Sequence, residues 1–72
     1  MYHPRRRDIE DLDNQIRELE SQIALLWDLV DSLKSAGRDA SKAALGLAML
    51  LAMRGQATIA RDAAVRAEAT DR

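Results

Sequence analysis

Apolar residues recur through the first half of the chain at intervals that alternate three and four: Ile9, Leu12, Ile16, Leu19, Ile23, Leu26, Val30 and Leu33. This is a heptad repeat, with Ile or Val at every a position and Leu at every d, and no strand shares its period. The spacing predicts an amphipathic helix over residues 8–36. In its first half only the seam is apolar, and the flanks are Asp13, Gln15, Glu20 and Gln22. In its second half Leu25, Trp27 and Leu29 widen the apolar face. A narrow seam serves one neighbouring helix, whereas a broad face implies more than one.

The pattern pauses at Gly37, which suits the left-handed position after a helix, with Lys34 and Arg38 placed where cations complement the helix C-terminus. Residues 37–39 are expected to turn. Asp39 or Ser41 then serves as N-cap, although Lys42 stands where a capping box would want Glu or Gln. A second, alanine-rich helix is expected over residues 40–70, since alanine is the best helix former. Its stripe at the same three-and-four spacing is Ala43, Gly46, Leu50, Met53, Ala57, Ala60, Ala64 and Ala67. Gly55 is the weak point. A break there makes three helices and continuity makes two, the reading favoured here.

The two segments mirror each other. Residues 23–33 and 43–53 are the broadly apolar stretches, and both lie close to Gly37, so folding the chain there brings them together. The predicted fold is therefore all-α: an antiparallel, coiled-coil-like helical hairpin that pairs with a second copy into a four-helix bundle. The alternative is a parallel zipper through residues 9–33, which Ile at a and Leu at d would suit. Against it, Asp8 would face Asp13, and Gln15 would face Glu20. Charge favours the hairpin. Residues 8–33 carry eight acids and one base, Arg17, whereas residues 38–72 carry six bases and four acids.

Size sharpens this expectation. A chain of 72 residues buries only about 60% of its unfolded surface, and domains this small usually need a staple. There is no cysteine for a disulfide. The single histidine, His3, sits beside the N-terminus with no thiolate to help it hold a metal. Oligomerisation is the staple that remains. The apolar run 43–53 spans about 16 Å as a helix against a bilayer core of about 30 Å. On that length a membrane-crossing helix is not expected. With no apolar signal region in residues 2–19, a cytoplasmic location is expected.

Candidate chemistry is sparse. Catalysis needs a nucleophile or a positioned acid–base pair, and this composition offers neither, so no enzyme, cofactor or metal is expected. Glu10, Asp11 and Asp13 fan around their helix instead of converging as a hard cation requires. Arg5, Arg6 and Arg7, in the basic arm of residues 1–7, are the candidate anion contacts. They are followed at once by Asp8, Glu10 and Asp11, unlike the long basic helix that precedes a DNA-binding zipper. The expected function is a non-enzymatic oligomerisation and protein-interaction module, a structural or assembly component of a larger complex, with a dimer favoured. Its interface is expected on Ile16, Leu19, Ile23, Leu26, Trp27, Leu29, Val30, Leu33, Leu47, Leu50 and Leu51. Two other readings stand beside it. One is a small nucleic-acid-associated regulator using the arginine arm with Arg54, Arg61 and Arg66. The other is a helical protein on a membrane surface.

Overall fold

A computed structural model describes residues 6–70, with Arg6 described by its backbone alone. Two α-helices account for nearly all of it, α1 (Arg6–Ser35) and α2 (Ser41–Thr70), thirty residues each. They pack against one another as an antiparallel hairpin 56 Å long and about 15 by 13 Å in section. Among the described residues there is no strand. α2 runs through Gly55 without a break.

The reversal has a clear local cause. Gly37 takes a φ of +70°, the left-handed region where a side chain would be strained. Around it, the Arg38 N–H donates to the Leu33 carbonyl at 2.8 Å, and the Gly37 N–H donates to the Lys34 carbonyl at 3.0 Å. This is a Schellman ending, which satisfies carbonyls that α1 would otherwise leave open. The start of α2 is closed by Asp39. Its carboxylate accepts from the Ser41 N–H at 2.9 Å and from the Ser41 hydroxyl at 2.5 Å. The Ala40 carbonyl accepts the first helical bond, from Ala44. Both contacts to Ser41 favour the charged carboxylate, the hydroxyl more than the N–H, and hold Asp39 below its ordinary pKa.

Two cross-contacts set the register between the helices. Asp13 meets Arg61, and Leu26 Cδ1 lies 3.5 Å from where a side chain on Gly46 would begin. Leu19 is thereby level with Arg54, and Ile23 with Leu50. All eight heptad positions of α1 turn toward α2. Leu19, Ile23 and Val30 are buried, and Ile9, Leu12, Ile16, Leu26 and Leu33 are half-buried.

The phase of α2 differs from the stripe expected above. Its seam is Ala43, Leu47, Leu50, Arg54, Ala57, Arg61, Ala64 and Glu68, all buried or half-buried. Half of the expected stripe, Ala43, Leu50, Ala57 and Ala64, is kept. Met53 and Ala60 turn outward to the exposed surface, while Gly46 and Ala67 are half-buried beside the seam. The reason is volume. Rotating the helix seats Leu47 in the core at 5% exposure, and the buried Ala57 and Ala64 leave room for the larger residues of α1. Arg54 and Arg61 then enter the seam flank, where long aliphatic stems can lie on apolar surface while the charge stays in water.

Candidate interaction surface

The two flanks of the seam differ in chemistry. On one, steps of seven from Asp13 give Glu20, Trp27 and Lys34 on α1, and steps from Leu51 give Thr58 and Val65 on α2. A shallow groove there is lined by Asp13, Ile16, Arg17, Glu20, Thr58 and Arg61. Arg61 Nε donates to the Asp13 carboxylate, and Arg61 Nη1 lies 3.4 Å from Asp62. The hydrogen bond to Asp13 is the main reason that Arg61 holds its proton even more firmly than usual. Arg61 is 40% and Asp13 31% exposed, so water screens this pair and it orients the helices more than it stabilises them.

The other flank carries Gln15, Gln22 and Leu29 on α1, and Gly46, Met53, Ala60 and Ala67 on α2, with no charge over that stretch. Its groove is lined by Leu12, Ala60, Ala63, Ala64 and Ala67. Toward the turn this flank continues into exposed Leu25, Leu45 and Met49. The apolar surface extends round the outside of α2 to Ile59, the most exposed large apolar residue at 71%.

The expected interface residues divide between these regions. Leu19, Ile23, Val30 and Leu47 are buried in the hairpin's own seam, and Ile16, Leu26, Leu33, Leu50 and Leu51 are half-buried. Trp27 and Leu29 remain exposed, at 50% and 45%. Leu47, expected at the interface, is carried inward by the phase of α2, while Trp27 stays exposed and Leu51 is half-buried. What the seam leaves outside is instead Leu25, Leu45, Met49, Met53 and Ile59. A signal for part of this set was present in the sequence. Leu45, Met49, Ala52, Gln56, Ile59 and Ala63 form a second stripe at the same alternating spacing on α2.

The candidate anion contacts are less well placed. Arg5 and the side chain of Arg6 lie outside the described residues, and Arg7 is exposed. On α2, Arg54 is half-buried in the seam and Arg66 is exposed on the outer face, while Arg61 is engaged by Asp13. The described ones, Arg7, Arg54, Arg61 and Arg66, sit in different environments. Of the acidic trio, Asp13 pairs with Arg61 across the hairpin, and the three do not share one burial environment, Asp13 being half-buried and Glu10 and Asp11 exposed. Among the described residues no group of three or more potential ligands converges on a metal position.

The length argument against a membrane-crossing helix also changes. It rested on residues 43–53, but the helix continues to Thr70. By length and composition alone α2 can cross a membrane, and only 17% of its most apolar 18-residue window is buried in the hairpin. The fold and this surface define a class: an all-α two-helix hairpin that, among the described residues, leaves eight large apolar side chains exposed. No protein-family model, curated protein or solved structure matches the chain.

Proposed function

We propose that this chain is a non-enzymatic self-association and protein-interaction module, whose hairpins pair into a four-helix bundle and serve as a structural component of a larger assembly. One observation carries the reading. Among the described residues, four large apolar side chains are buried, Leu19, Ile23, Val30 and Leu47, while eight are exposed at 41% or more. Of these, Leu45, Met49 and Met53 follow one another at helical spacing on α2, and adjoining exposed apolar residues mark an interface. A hairpin this small gains the burial it lacks by pairing with another. Sedimentation equilibrium over a wide concentration range tests the reading. The expected result is a mass of twice 8.0 kDa, with the dimer fraction rising with concentration. A mass that stays at 8.0 kDa throughout rejects it.

A second reading has its own support. The apolar length of α2 favours insertion into or across a bilayer, in place of pairing. Flotation with neutral and with anionic vesicles separates the two. Stable recovery with lipid, together with a monomeric mass in buffer, would favour the membrane.

A further inference from the structure

We propose that the hairpin opens in two stages, and that the half away from the turn, residues 6–18 with 55–70, releases first as one cooperative unit bounded at Gly55. This goes beyond the self-association reading and concerns the single chain.

The seam changes composition at one level. On the turn side of Arg54, α2 sets Leu47 and Leu50 against Ile23, Leu26, Val30 and Leu33 of α1. Ile23, Val30 and Leu47 are buried there. Beyond Arg54 the seam of α2 is Ala57, Arg61, Ala64 and Glu68, with no large apolar residue. In the register set by the two cross-contacts, Ile16 is level with Ala57, Leu12 with Arg61 and Ile9 with Ala64. Ile9, Leu12 and Ile16 accordingly stay half-buried, and both grooves described above run along this half. Buried apolar area is what ties helix to helix, so the two halves are held unequally. The contact of Arg61 with Asp13 does not make up the difference, because a pair 40% and 31% exposed is screened by water.

A weak point in α2 stands at the same level. Gly55 follows Arg54 directly, and after proline glycine is the residue that a helix interior holds least firmly. Nothing lies within 4 Å of where its side chain would begin, so no close approach of α1 requires a glycine there. The other half is tethered by the turn, with its Schellman ending and the Asp39 contact to Ser41. The first stage therefore leaves the turn and the core around Leu47 intact. It frees Ile9, Leu12 and Ile16, a narrow heptad stretch with polar flanks of the kind that one other helix covers.

The test is amide hydrogen exchange of the full chain, read at single residues across a urea series, at a concentration at which the chain is monomeric. The amides of Leu12, Ile16, Ala60 and Ala64 should share one protection factor and one urea dependence, the mark of a cooperative unit. That factor should lie at least about tenfold below the one at Leu26, Val30, Leu47 and Leu50. Two glycine variants then separate the halves. Gly46→Ala lies in the turn half, where the added methyl would meet Leu26 Cδ1 at an ordinary 3.5 Å. It should raise protection about two- to fivefold in the turn half and leave the other half unchanged, because that half opens with residue 46 still helical. Gly55→Ala should raise both halves by the same factor, since residue 55 melts in either opening.

Two levels of protection, with the Gly46→Ala effect confined to the turn half, support the proposal. One protection factor throughout, or a Gly46→Ala effect of equal size in both halves, means that the hairpin opens as a single unit and overturns it. Protection that falls away residue by residue toward the helix ends, with no urea dependence, is end fraying and overturns it as well.

Discussion

The two helices have the same length, thirty residues, and divide their apolar residues differently. α1 commits its heptad positions to one destination, the seam, and over its first half everything outside the seam is polar or charged. α2 turns a mixed seam toward α1, where Leu47, Leu50 and alanines alternate with Arg54, Arg61 and Glu68, and carries a second, uncharged and largely apolar stripe on its outer side, with one partner helix within the chain. An amphipathic helix is satisfied by a single neighbour, but a helix with a further apolar stripe on its outer side is not. The difference locates the unfinished part of the molecule on the outside of α2 and on the widened end of α1 beside it.

Substitutions test that contrast, starting with the largest expected effect. Ile23→Ala, in the seam of α1 at 5% exposure, should cost about 3 kcal/mol in chemical denaturation, the range for emptying a buried aliphatic site. Leu25→Ala, two residues along and 69% exposed, should change the hairpin's own stability by less than about 0.5 kcal/mol. Equal losses from the two would erase the distinction between seam and surface on α1.

The next pair probes α2. Ala57→Leu forces volume into the side facing α1, where Ala57 is 5% exposed, and should destabilise by about 1–3 kcal/mol. Ala52→Leu, on the outer stripe, has open space around it and should leave hairpin stability unchanged. Thermal unfolding at a concentration that keeps both chains monomeric measures the difference. Stability unchanged by Ala57→Leu would mean that the phase of α2 is wrong.

A smaller effect of opposite sign is expected at Gly55. Nothing lies within 4 Å of where its side chain would begin. Gly55→Ala should therefore stabilise by about 0.5–1 kcal/mol through helix propensity and reduced unfolded-state entropy.

The smallest effect concerns the turn. Because Asp39 is held below its ordinary pKa by the Ser41 hydroxyl and N–H, its contribution is present above the unfolded carboxylate range of about 3.9. That contribution is lost as pH falls through the depressed folded value. Asp39→Asn should melt slightly below the native chain at neutral pH, and the gap should close in strong acid. A gap that widens on acidification would contradict the hydrogen bonding seen at Ser41.

Much of the fold was legible from residue pattern. The α1 heptad named all eight seam positions, because Ile, Leu and Val at a strict period carry a large difference in burial energy between faces. Gly37 marked the turn, since only glycine enters the left-handed region without strain. The interface was less legible. Most of the residues expected to meet a partner are the same ones the hairpin needs for itself, and sequence alone does not say which contact is made within a chain and which between chains.

By itself, then, the sequence determined that the chain is helical, where it turns and which face of α1 is inward. Strong periodicity and one glycine suffice for that, while the continuity of α2 through Gly55 is seen only in the structure. Tertiary packing decided the phase of α2 and the pairing of Asp13 with Arg61. The expected and observed stripes share Ala43, Leu50, Ala57 and Ala64 and exchange Gly46, Met53, Ala60 and Ala67 for Leu47, Arg54, Arg61 and Glu68, so apolar character alone did not choose the phase. The large side chains of α1 made the choice, by fitting over Ala57 and Ala64 with Leu47 drawn in beside them, and the same rotation left Met49, Met53 and Ile59 on the outside.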